Sequence, residues 1–200
     1  MLNDWNAEYV NKAESNWGKK RPKYTLDMFN FAIKSGTSWL DLGCGFGRFL
    51  KFLLESIEYP DYIGCDSSKH MIKRMNDLHP DYFLRVFHRD ITTYIPPVKE
   101  VVVSSAVFIH LNKADQVKIL NNILKMDRKP KAITFDINCL KSGRGNYSKE
   151  TITKGNFLMH FQSPESMLDY LKKHFHEYSI KSKNYTVRKG IFKVVFFMNR

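Results

Sequence analysis

The sequence predicts an α/β fold, a single three-layer domain in which helices cover both faces of a mostly parallel sheet. Strand-like and helix-like stretches alternate along the 200 residues, which is the pattern of strand–helix–strand units. The run at residues 101–103 consists of three valines, as is typical of a strand that is buried on both faces. No repeat, low-complexity segment or linker interrupts the chain, so we expect residues 1–200 to form one domain.

The predicted elements of the first half surround the most distinctive motif of the chain. In order, they are a helix at residues 8–14, a loop at 17–22, a helix at 25–33, a strand at 38–42, a helix at 48–56, a strand at 62–65, a helix after Ser67 and a strand at 83–87. Ser67 is the predicted cap of its helix, because Met71, Ile72 and Met75 follow it on one helical face.

The second half continues the alternation and ends in two strands. The valine strand is followed by a helix that Asn112 and Asp115 cap and that carries four apolar residues at helical spacing. The later elements are a strand at 132–137, a polar segment at 138–162, a helix beginning at Ser163-Pro164-Glu165, and strands at 178–182 and 191–198. Because a short link joins the last two strands, we expect them to pair antiparallel.

Residues 39–50 are the most informative stretch of the sequence. They read Trp-Leu-Asp-Leu-Gly-Cys-Gly-Phe-Gly-Arg-Phe-Leu, an apolar strand, a turn with three glycines and the start of a helix. Such glycines let the backbone approach a ligand closely, and the first N–H groups of the helix attract an anionic group. The dinucleotide fingerprint G-x-G-x-x-G/A does not fit, because Arg48 stands at its third small position. The pattern is instead acidic-x-G-x-G-x-G, led by Asp41.

This pattern resembles the cofactor loop of class I S-adenosyl-L-methionine (SAM) methyltransferases. The resemblance covers about residues 37–137 by motif and the rest of the chain by the order of strands and helices. It implies a Rossmann-like, seven-stranded sheet whose last strand is antiparallel and inserted near the edge. It also implies that the chain is an enzyme that transfers a methyl group from SAM and releases S-adenosyl-L-homocysteine (SAH).

Two acidic residues after the second and third strands are implied to hold the adenosine part of SAM. Asp66 follows Gly47 by nineteen residues, and in the family an acidic residue at this place accepts hydrogen bonds from both ribose hydroxyls. Asp90 is implied to accept a hydrogen bond from the adenine amine, while Ile91 offers its backbone N–H. Met71 is implied to lie on the adenine face, with packing in the core as its alternative role.

The other residues implied in cofactor binding surround the methionine part of SAM and its sulfonium. Asp41 is expected to orient the loop or to bind the SAM amino group. Arg21, or its neighbour Lys20, is expected to reach the SAM carboxylate. The complete set comprises Arg21, Asp41, Gly43, Cys44, Gly45, Gly47, Ser67, Ser105 and Ala106.

The acceptor is predicted to be a small molecule that is methylated on nitrogen or oxygen. His110 is the candidate catalytic base, because histidine takes up a proton near neutral pH, and its alternative role is to hold its loop by a hydrogen bond. No Asn/Asp-Pro-Pro-Tyr/Phe signature follows the fourth strand, which argues against methylation of adenine, cytosine or glutamine amides by that mechanism. The family builds its acceptor site from segments that correspond here to residues 1–36, a helical lid, and 138–162, a variable insert.

The charge of the chain keeps a second class of acceptor open. The net charge is +12, and the first hundred residues hold 14 basic and 13 acidic side chains, whereas the second hundred hold 18 and 7. A positive half attracts polyanions, so an RNA-modifying methyltransferase is the leading alternative. A lysine-rich composition also serves solubility. A peptide or protein acceptor, and a SAM-binding protein without catalysis, are further alternatives.

Cysteine and histidine usage predicts a cytoplasmic protein without a metal. The three cysteines are few and widely spaced, which favours a reducing compartment over disulfides or a zinc site. His174 and His176 lie two residues apart and therefore on different faces of a helix. The first residues lack the layout of a signal peptide, and no apolar run is long enough for a membrane span, so no membrane partner is expected. The oligomeric state stays open.

Overall fold

The structure is a computed structural model that describes residues 22–94, 97, 99–140, 151–154, 157–160, 163–188 and 190–200. Its α-helices are α1 (Lys23–Ser35), α2 (Arg48–Leu54), α3 (Lys69–Leu78), α4 (Lys113–Leu124) and α5 (Pro164–His174). Its strands are β1 (Ser38–Leu42), β2 (Asp61–Asp66), β3 (Val86–His88), β4 (Val101–Ser104), β5 (Ala132–Leu140), β6 (Thr151–Lys154), β7 (Phe157–His160), β8 (Ser179–Arg188) and β9 (Ile191–Asn199). The predicted helix at residues 8–14 and the candidate Arg21 lie outside the described residues.

Seven of these strands form one sheet in the order β3-β2-β1-β4-β5-β9-β8. The strands from β3 to β5 in this order pair parallel, whereas β9 is antiparallel to both of its neighbours. The tight connection into β9 passes through Gly190, whose φ of 75° lies in the left-handed region that favours glycine. The predicted sheet, mostly parallel with an inserted antiparallel last strand, is confirmed.

Successive side chains of the buried strands point to opposite faces of the sheet, and each face has its own apolar core. On the face covered by α4 and α5, the ring of Phe135 stacks between Phe108 and Phe196, with centroid distances of 4.5 and 5.1 Å. On the face covered by α1, α2 and α3, Phe29 packs against Phe49 with a centroid distance of 4.8 Å. The predicted three-layer arrangement therefore follows from apolar residues on both faces of the sheet.

The local predictions before β3 need two corrections. Residues 83–85, predicted as the first part of a strand, belong to a 3-10 helix, Pro80–Arg85. A proline in the first turn favours the start of a helix, and Tyr82 is the buried side chain of this turn. The helix α3 is capped by Ser68 and not by Ser67, since the Ser68 Oγ accepts the Met71 N–H at 3.2 Å. The Ser67 carbonyl instead lies 2.9 Å from the His88 ring nitrogen Nε2.

The later helix caps are as predicted, and the insert holds an additional element. The Asn112 Oδ1 accepts the Asp115 N–H at 2.9 Å at the start of α4, and the Ser163 Oγ accepts the Ser166 N–H at the start of α5. Within the segment predicted only as polar, β6 and β7 pair antiparallel as a separate two-stranded sheet. Short strands of this kind carry too weak a pattern to stand out in a polar sequence.

Candidate functional site

The candidate site residues lie at the carboxyl ends of neighbouring strands. β1 pairs with β2 on one side and with β4 on the other, and β3 pairs with β2. The chain leaves β1 towards the face that carries α2 and leaves β4 towards the face that carries α4. Open α/β sheets bind ligands in the crevice that such a switch of faces creates.

The three glycines after β1 have left-handed backbones, and two of them have different spatial constraints. Gly43 has a φ of 74°, and a Cβ added there would lie 2.3 Å from the Val107 Cγ2. Gly45 has a φ of 56°, and the atom nearest to its added Cβ is the Met71 Sδ at 3.9 Å. Gly43 therefore allows the glycine loop to pack on the segment after β4. Gly45 therefore borders space that no other described residue fills within 3.9 Å.

Asp66 joins the glycine loop to the start of α3. Its Oδ2 accepts the Gly45 N–H at 2.9 Å, and its Oδ1 accepts the Ser68 N–H at 2.8 Å. Burial raises the pKa of the Asp66 carboxyl, and the two N–H donors oppose this shift. Because each carboxylate oxygen can accept two hydrogen bonds, both oxygens keep capacity for further hydroxyl donors.

Asp41 lies beneath the loop as a buried carboxyl. It is 3% exposed, and its Oδ2 accepts a hydrogen bond from the Tyr62 hydroxyl at 3.0 Å. Burial raises the pKa of Asp41 to about 7, while the Tyr62 hydrogen bond and the charge of Arg48 act in the opposite direction. The carboxyl is therefore half ionised near neutral pH, close to the glycine loop.

The raised pKa of Asp41 gives a prediction about stability. An unfolded Asp41 ionises near pH 3.8, whereas the folded carboxyl stays protonated up to about pH 7. The folded state therefore loses stability as pH rises from about 4 to 7, by on the order of 4 kcal/mol for a shift of this size. We expect Asp41→Asn, whose amide oxygen still accepts from Tyr62, to raise the melting temperature at pH 8 by on the order of 5–10 °C and to change it little at pH 4.

A carboxyl with the opposite shift provides the control for this measurement. The pKa of Glu100 is lowered to about 2 by its hydrogen bond with Lys131 and by the Thr37 N–H. Glu100 therefore adds stability above about pH 4.5, and this contribution is lost as pH falls towards 2. Glu100→Gln should lower the melting temperature at pH 8. An Asp41→Asn melting curve that is no higher than the wild-type curve at pH 8 contradicts the assignment.

The candidate adenine residues after β3 are built into a turn. The Asp90 Oδ1 accepts both the N–H and the hydroxyl of Thr92, at 2.9 and 2.8 Å. Asp90 is exposed, while Ile91 is buried and packs in the core beneath α4. The Arg89 N–H donates to the Asp66 carbonyl at 2.9 Å, so the turn stays next to the end of β2. Asp90 therefore has a structural role in this turn, and its contact with adenine stays a prediction.

The segment after β4 forms the opposite wall of the crevice. The Ser105 Oγ accepts a hydrogen bond from the Arg48 guanidinium at 3.0 Å. Ala106 has a φ of 61°, and its N–H donates to the Asp136 carboxylate at 2.6 Å. The candidate base His110 ends the following 3-10 helix, Phe108–His110, and is partly exposed. The wall is thus fixed to the glycine loop by one hydrogen bond and by the contact of Val107 with Gly43.

Two functional candidates of this wall were missed by the sequence reasoning. Arg48 served there only to exclude the dinucleotide fingerprint, although its side chain connects the glycine loop with Ser105. Asp136 was counted among the residues of the fifth strand, yet it is fully buried and ionic. A signal existed for Asp136, since it is a charged residue within the apolar strand Ala132–Leu140.

The cysteines, the possible metal ligands and the helices of the described residues give three further observations. Cys44 is buried beside the loop, and burial together with Asp66 and Asp41 raises the pKa of its thiol. The described residues contain no group of three or more His, Cys, Asp or Glu side chains that could hold a metal ion. None of the helices in the described ranges has the length and apolar character needed to cross a bilayer.

Comparison with known proteins gives one family match and a set of similar structures. A family model described as "Methyltransferase domain" matches residues 40–130. Among curated proteins, none matches the chain. A SAM-dependent methyltransferase from Clostridium acetobutylicum is 15% identical, with a TM-score of 0.65 over 96% of this chain and 97% of that one. The family match covers β1 to β4, the glycine loop and the strand ends described above.

Two further similar structures carry the names of their acceptors. Magnesium protoporphyrin IX methyltransferase from Synechocystis, solved with bound SAM, is 12% identical, with a TM-score of 0.67 over 100% of this chain and 95% of that one. The 1,6-didemethyltoxoflavin-N1-methyltransferase of Burkholderia thailandensis, solved with its acceptor and SAH, is 12% identical, with a TM-score of 0.68 over 96% and 84% of the two chains. At these identities the likeness establishes a shared fold.

Proposed function

We propose that this chain, a class I SAM-dependent methyltransferase by its family match and its fold, transfers the methyl group to a nitrogen or oxygen of a small-molecule acceptor. The main support for SAM binding is the space beside Gly45, which the described residues leave open next to the Asp66 carboxylate. A nucleoside needs both a close backbone approach and an acceptor for its ribose hydroxyls. These two residues supply both, which supports placing the ribose of SAM on Asp66.

The remaining cofactor assignments follow from this placement. The methionine part of SAM would lie along Gly43 and Gly45, with the adenine near Asp90 and Ile91. Ser105 and Ala106 would border the sulfonium, because they form the wall opposite the glycine loop. The pKa of Asp41 lies near neutrality, and the ionised Asp41 carboxylate would help to bind the SAM amino group. Arg21 is proposed for the SAM carboxylate on the family resemblance alone.

Methyl transfer requires little covalent chemistry from this chain. When bound, SAM supplies a methyl group that its positively charged sulfur makes electrophilic. The residues of the crevice would align the acceptor atom behind that carbon. Such alignment can lower the activation barrier by about 7–11 kcal/mol. His110 is proposed to take up the proton that the acceptor loses.

The proposed role of His110 predicts a separation of turnover from cofactor binding. His110→Ala should lower kcat by about 100-fold or more, because a positioned general base contributes this much. The SAH affinity, measured by calorimetry, should stay within about threefold of the wild-type value. His176→Ala, at an exposed position after α5, is the control and should alter neither quantity. Weaker SAH binding with unchanged turnover would assign His110 to the scaffold instead.

The small-molecule acceptor is supported by the named acceptors of the similar structures and by the distribution of charge. The similar proteins from Synechocystis and Burkholderia thailandensis are named for small-molecule acceptors. Several basic residues of the second half are engaged in ion pairs with carboxylates, which reduces their attraction for a polyanion. They are Lys118, Lys129, Lys131, Lys183, Lys193 and Arg200.

An RNA acceptor is the second candidate, favoured by the excess of basic residues in the second half. The test incubates the wild-type protein and labelled SAM with a low-molecular-weight metabolite extract, or with bulk RNA at several salt concentrations. Label in the metabolite extract alone supports the small-molecule proposal. Label in RNA, together with RNA binding that weakens steeply as salt rises, supports the alternative and contradicts the small-molecule proposal.

A further inference from the structure

The face of the sheet beneath α1 contains a buried ion pair close to the proposed methyl site. Asp136 of β5 is 0% exposed and Lys193 of β9 is 4% exposed, and the Lys193 Nζ contacts the Asp136 Oδ2. Both stand in otherwise apolar strands, at positions that face α1. A buried ion pair is weak evidence for stability, since apolar residues of similar volume often serve as well or better. Stability alone therefore does not explain why a charged pair is buried at this place.

The second oxygen of Asp136 holds a strained backbone. The Asp136 Oδ1 accepts the Ala106 N–H at 2.6 Å. Ala106 has a φ of 61°, and it is the only non-glycine residue with positive φ among the described residues. A side-chain-bearing residue in this conformation costs on the order of 1–3 kcal/mol and persists only when its surroundings hold it. A hydrogen bond from a backbone N–H to a carboxylate that is part of an ion pair is of the strong, charge-assisted kind.

Ala106 lies between the two contacts that connect its segment with the glycine loop. On one side, Ser105 accepts the hydrogen bond from Arg48 at 3.0 Å. On the other side, Val107 occupies the space where Gly43 has no Cβ. A change in the Ala106 backbone would therefore shift both contacts, and with them the width of the crevice.

Lys193 is held in place from a second direction. Its Nζ lies 4.8 Å from the centroid of the Tyr24 ring, in the first turn of α1, which is a favourable distance for a cation on an aromatic face. Tyr24 in turn meets the ring of Tyr185 on β8, edge on, at 6.2 Å. Since the Lys193 Nζ contacts both the Asp136 carboxylate and the Tyr24 ring, we assign Lys193 a role that acts through Asp136.

We propose that Asp136 and Lys193 are positioning residues, which keep Ala106 in its strained conformation and thereby hold the wall beside the SAM sulfonium against the glycine loop. The Asp136 carboxylate acts on the wall through the Ala106 N–H, and Lys193 orients that carboxylate by contacting its other oxygen. This inference rests on the proposed function, because it assigns the wall of the same cofactor site.

The test measures SAH binding by calorimetry and thermal unfolding of the full chain. The main variant combines Asp136→Leu with Lys193→Met, which removes both charges together and leaves no unpaired buried charge. We expect its SAH Kd to rise about tenfold, because the strained conformation is no longer held. Adding Ala106→Gly to this variant should increase its SAH affinity again by about threefold or more, since glycine adopts a positive φ without the steric cost.

A distant, more exposed ion pair provides the control. The Glu100 carboxylate also accepts a backbone N–H, from Thr37 at 2.7 Å, and also pairs with a lysine, Lys131. It lies at the opposite end of the sheet, before β4, so Glu100→Gln should lower stability without altering the SAH Kd. An equal loss of SAH affinity in Glu100→Gln would reduce the effect to general destabilisation and overturn the proposal.

A milder variant is used if the protein with Asp136→Leu and Lys193→Met does not fold. Asp136→Asn with Lys193→Met keeps an oxygen that can accept the Ala106 N–H, and we expect a rise in SAH Kd of about threefold. Wild-type SAH affinity in the Asp136→Leu, Lys193→Met variant overturns the proposal. If only the milder variant folds, wild-type SAH affinity in that variant overturns it. A loss of SAH affinity that Ala106→Gly does not recover overturns it as well. Failure of the wild-type protein to bind SAH contradicts the proposed function instead.

Discussion

Gly45→Val is expected to weaken SAH binding by at least about 100-fold while the protein remains folded. The described residues leave room for a side chain here, because the nearest of their atoms to an added Cβ, the Met71 Sδ, is 3.9 Å away. The same space is where the proposed cofactor approaches the loop, so the valine methyl groups would take the place of the ligand. Calorimetry with SAH measures the loss, and thermal unfolding shows whether the fold is retained.

The chain offers a matched control for the strain that this substitution introduces. Gly190 also has a positive φ, 75° against 56° for Gly45, and nothing lies within 4 Å of its added Cβ. Gly190→Val places the same β-branched side chain in the same unfavourable region, but in the turn before β9. Both variants should therefore lose a similar amount of stability, and only Gly45→Val should lose SAH binding. Retained binding in Gly45→Val would show that the open space beside the loop serves another ligand.

Asp66→Ala is expected to produce the second large effect, a rise in SAH Kd of at least about 100-fold. The proposed ribose hydroxyls would lose a charged acceptor, and each such hydrogen bond contributes about 1.5–3 kcal/mol. The Gly45 and Ser68 N–H groups would lose their partner as well, so the loop would become less fixed. Asp66→Asn should give an intermediate affinity, because its amide keeps one accepting oxygen.

A second aspartate on the same strand separates the proposed role from a general effect of charge. Asp61 begins β2, whereas Asp66 ends it, and Asp61 forms exposed ion pairs with Lys99 and Arg85. Exposed pairs contribute at most about 1 kcal/mol, so Asp61→Ala should cost little stability and leave the SAH Kd unchanged. Unchanged SAH affinity in Asp66→Ala would remove this carboxylate from the proposed site.

Much of the fold was predictable because its elements carry strong local signals. β1 begins and ends at the predicted residues, since an apolar run meets a series of glycines at Leu42 and Gly43. α5 begins where Ser163 and Pro164 predict it, because a cap and a first-turn proline occur together. The insertion of the last strand near the sheet edge came from the family resemblance and not from these local signals.

The errors arose where exposed apolar residues imitate a strand. Phe83 and Leu84 suggested strand to us, yet their side chains are 60% and 81% exposed on the 3-10 helix before β3. Ser67 and Ser68 are both good capping residues, and the choice between them depends on the direction in which β2 delivers the chain. Such outcomes are decided by tertiary packing, which a local pattern does not contain.

Sequence alone indicated only those candidate residues that stand in the glycine motif or at the ends of predicted strands. Asp66 and the three glycines stand in a motif, so their spacing indicates their role. Asp136 and Lys193 lie 57 positions apart in the sequence, on β5 and β9. Only the register between these two strands brings their charges together. The strained backbone of Ala106 is likewise visible only once the chain is folded.

The central claim is that the loop beginning at Gly43 and the carboxylate of Asp66 together hold SAM. A crystal structure of the wild-type protein with SAH tests it most directly. We expect ribose hydroxyls within hydrogen-bond distance of Asp66 and the homocysteine part of SAH along Gly43 and Gly45. SAH bound elsewhere, or a nicotinamide dinucleotide in that crevice in its place, would contradict it.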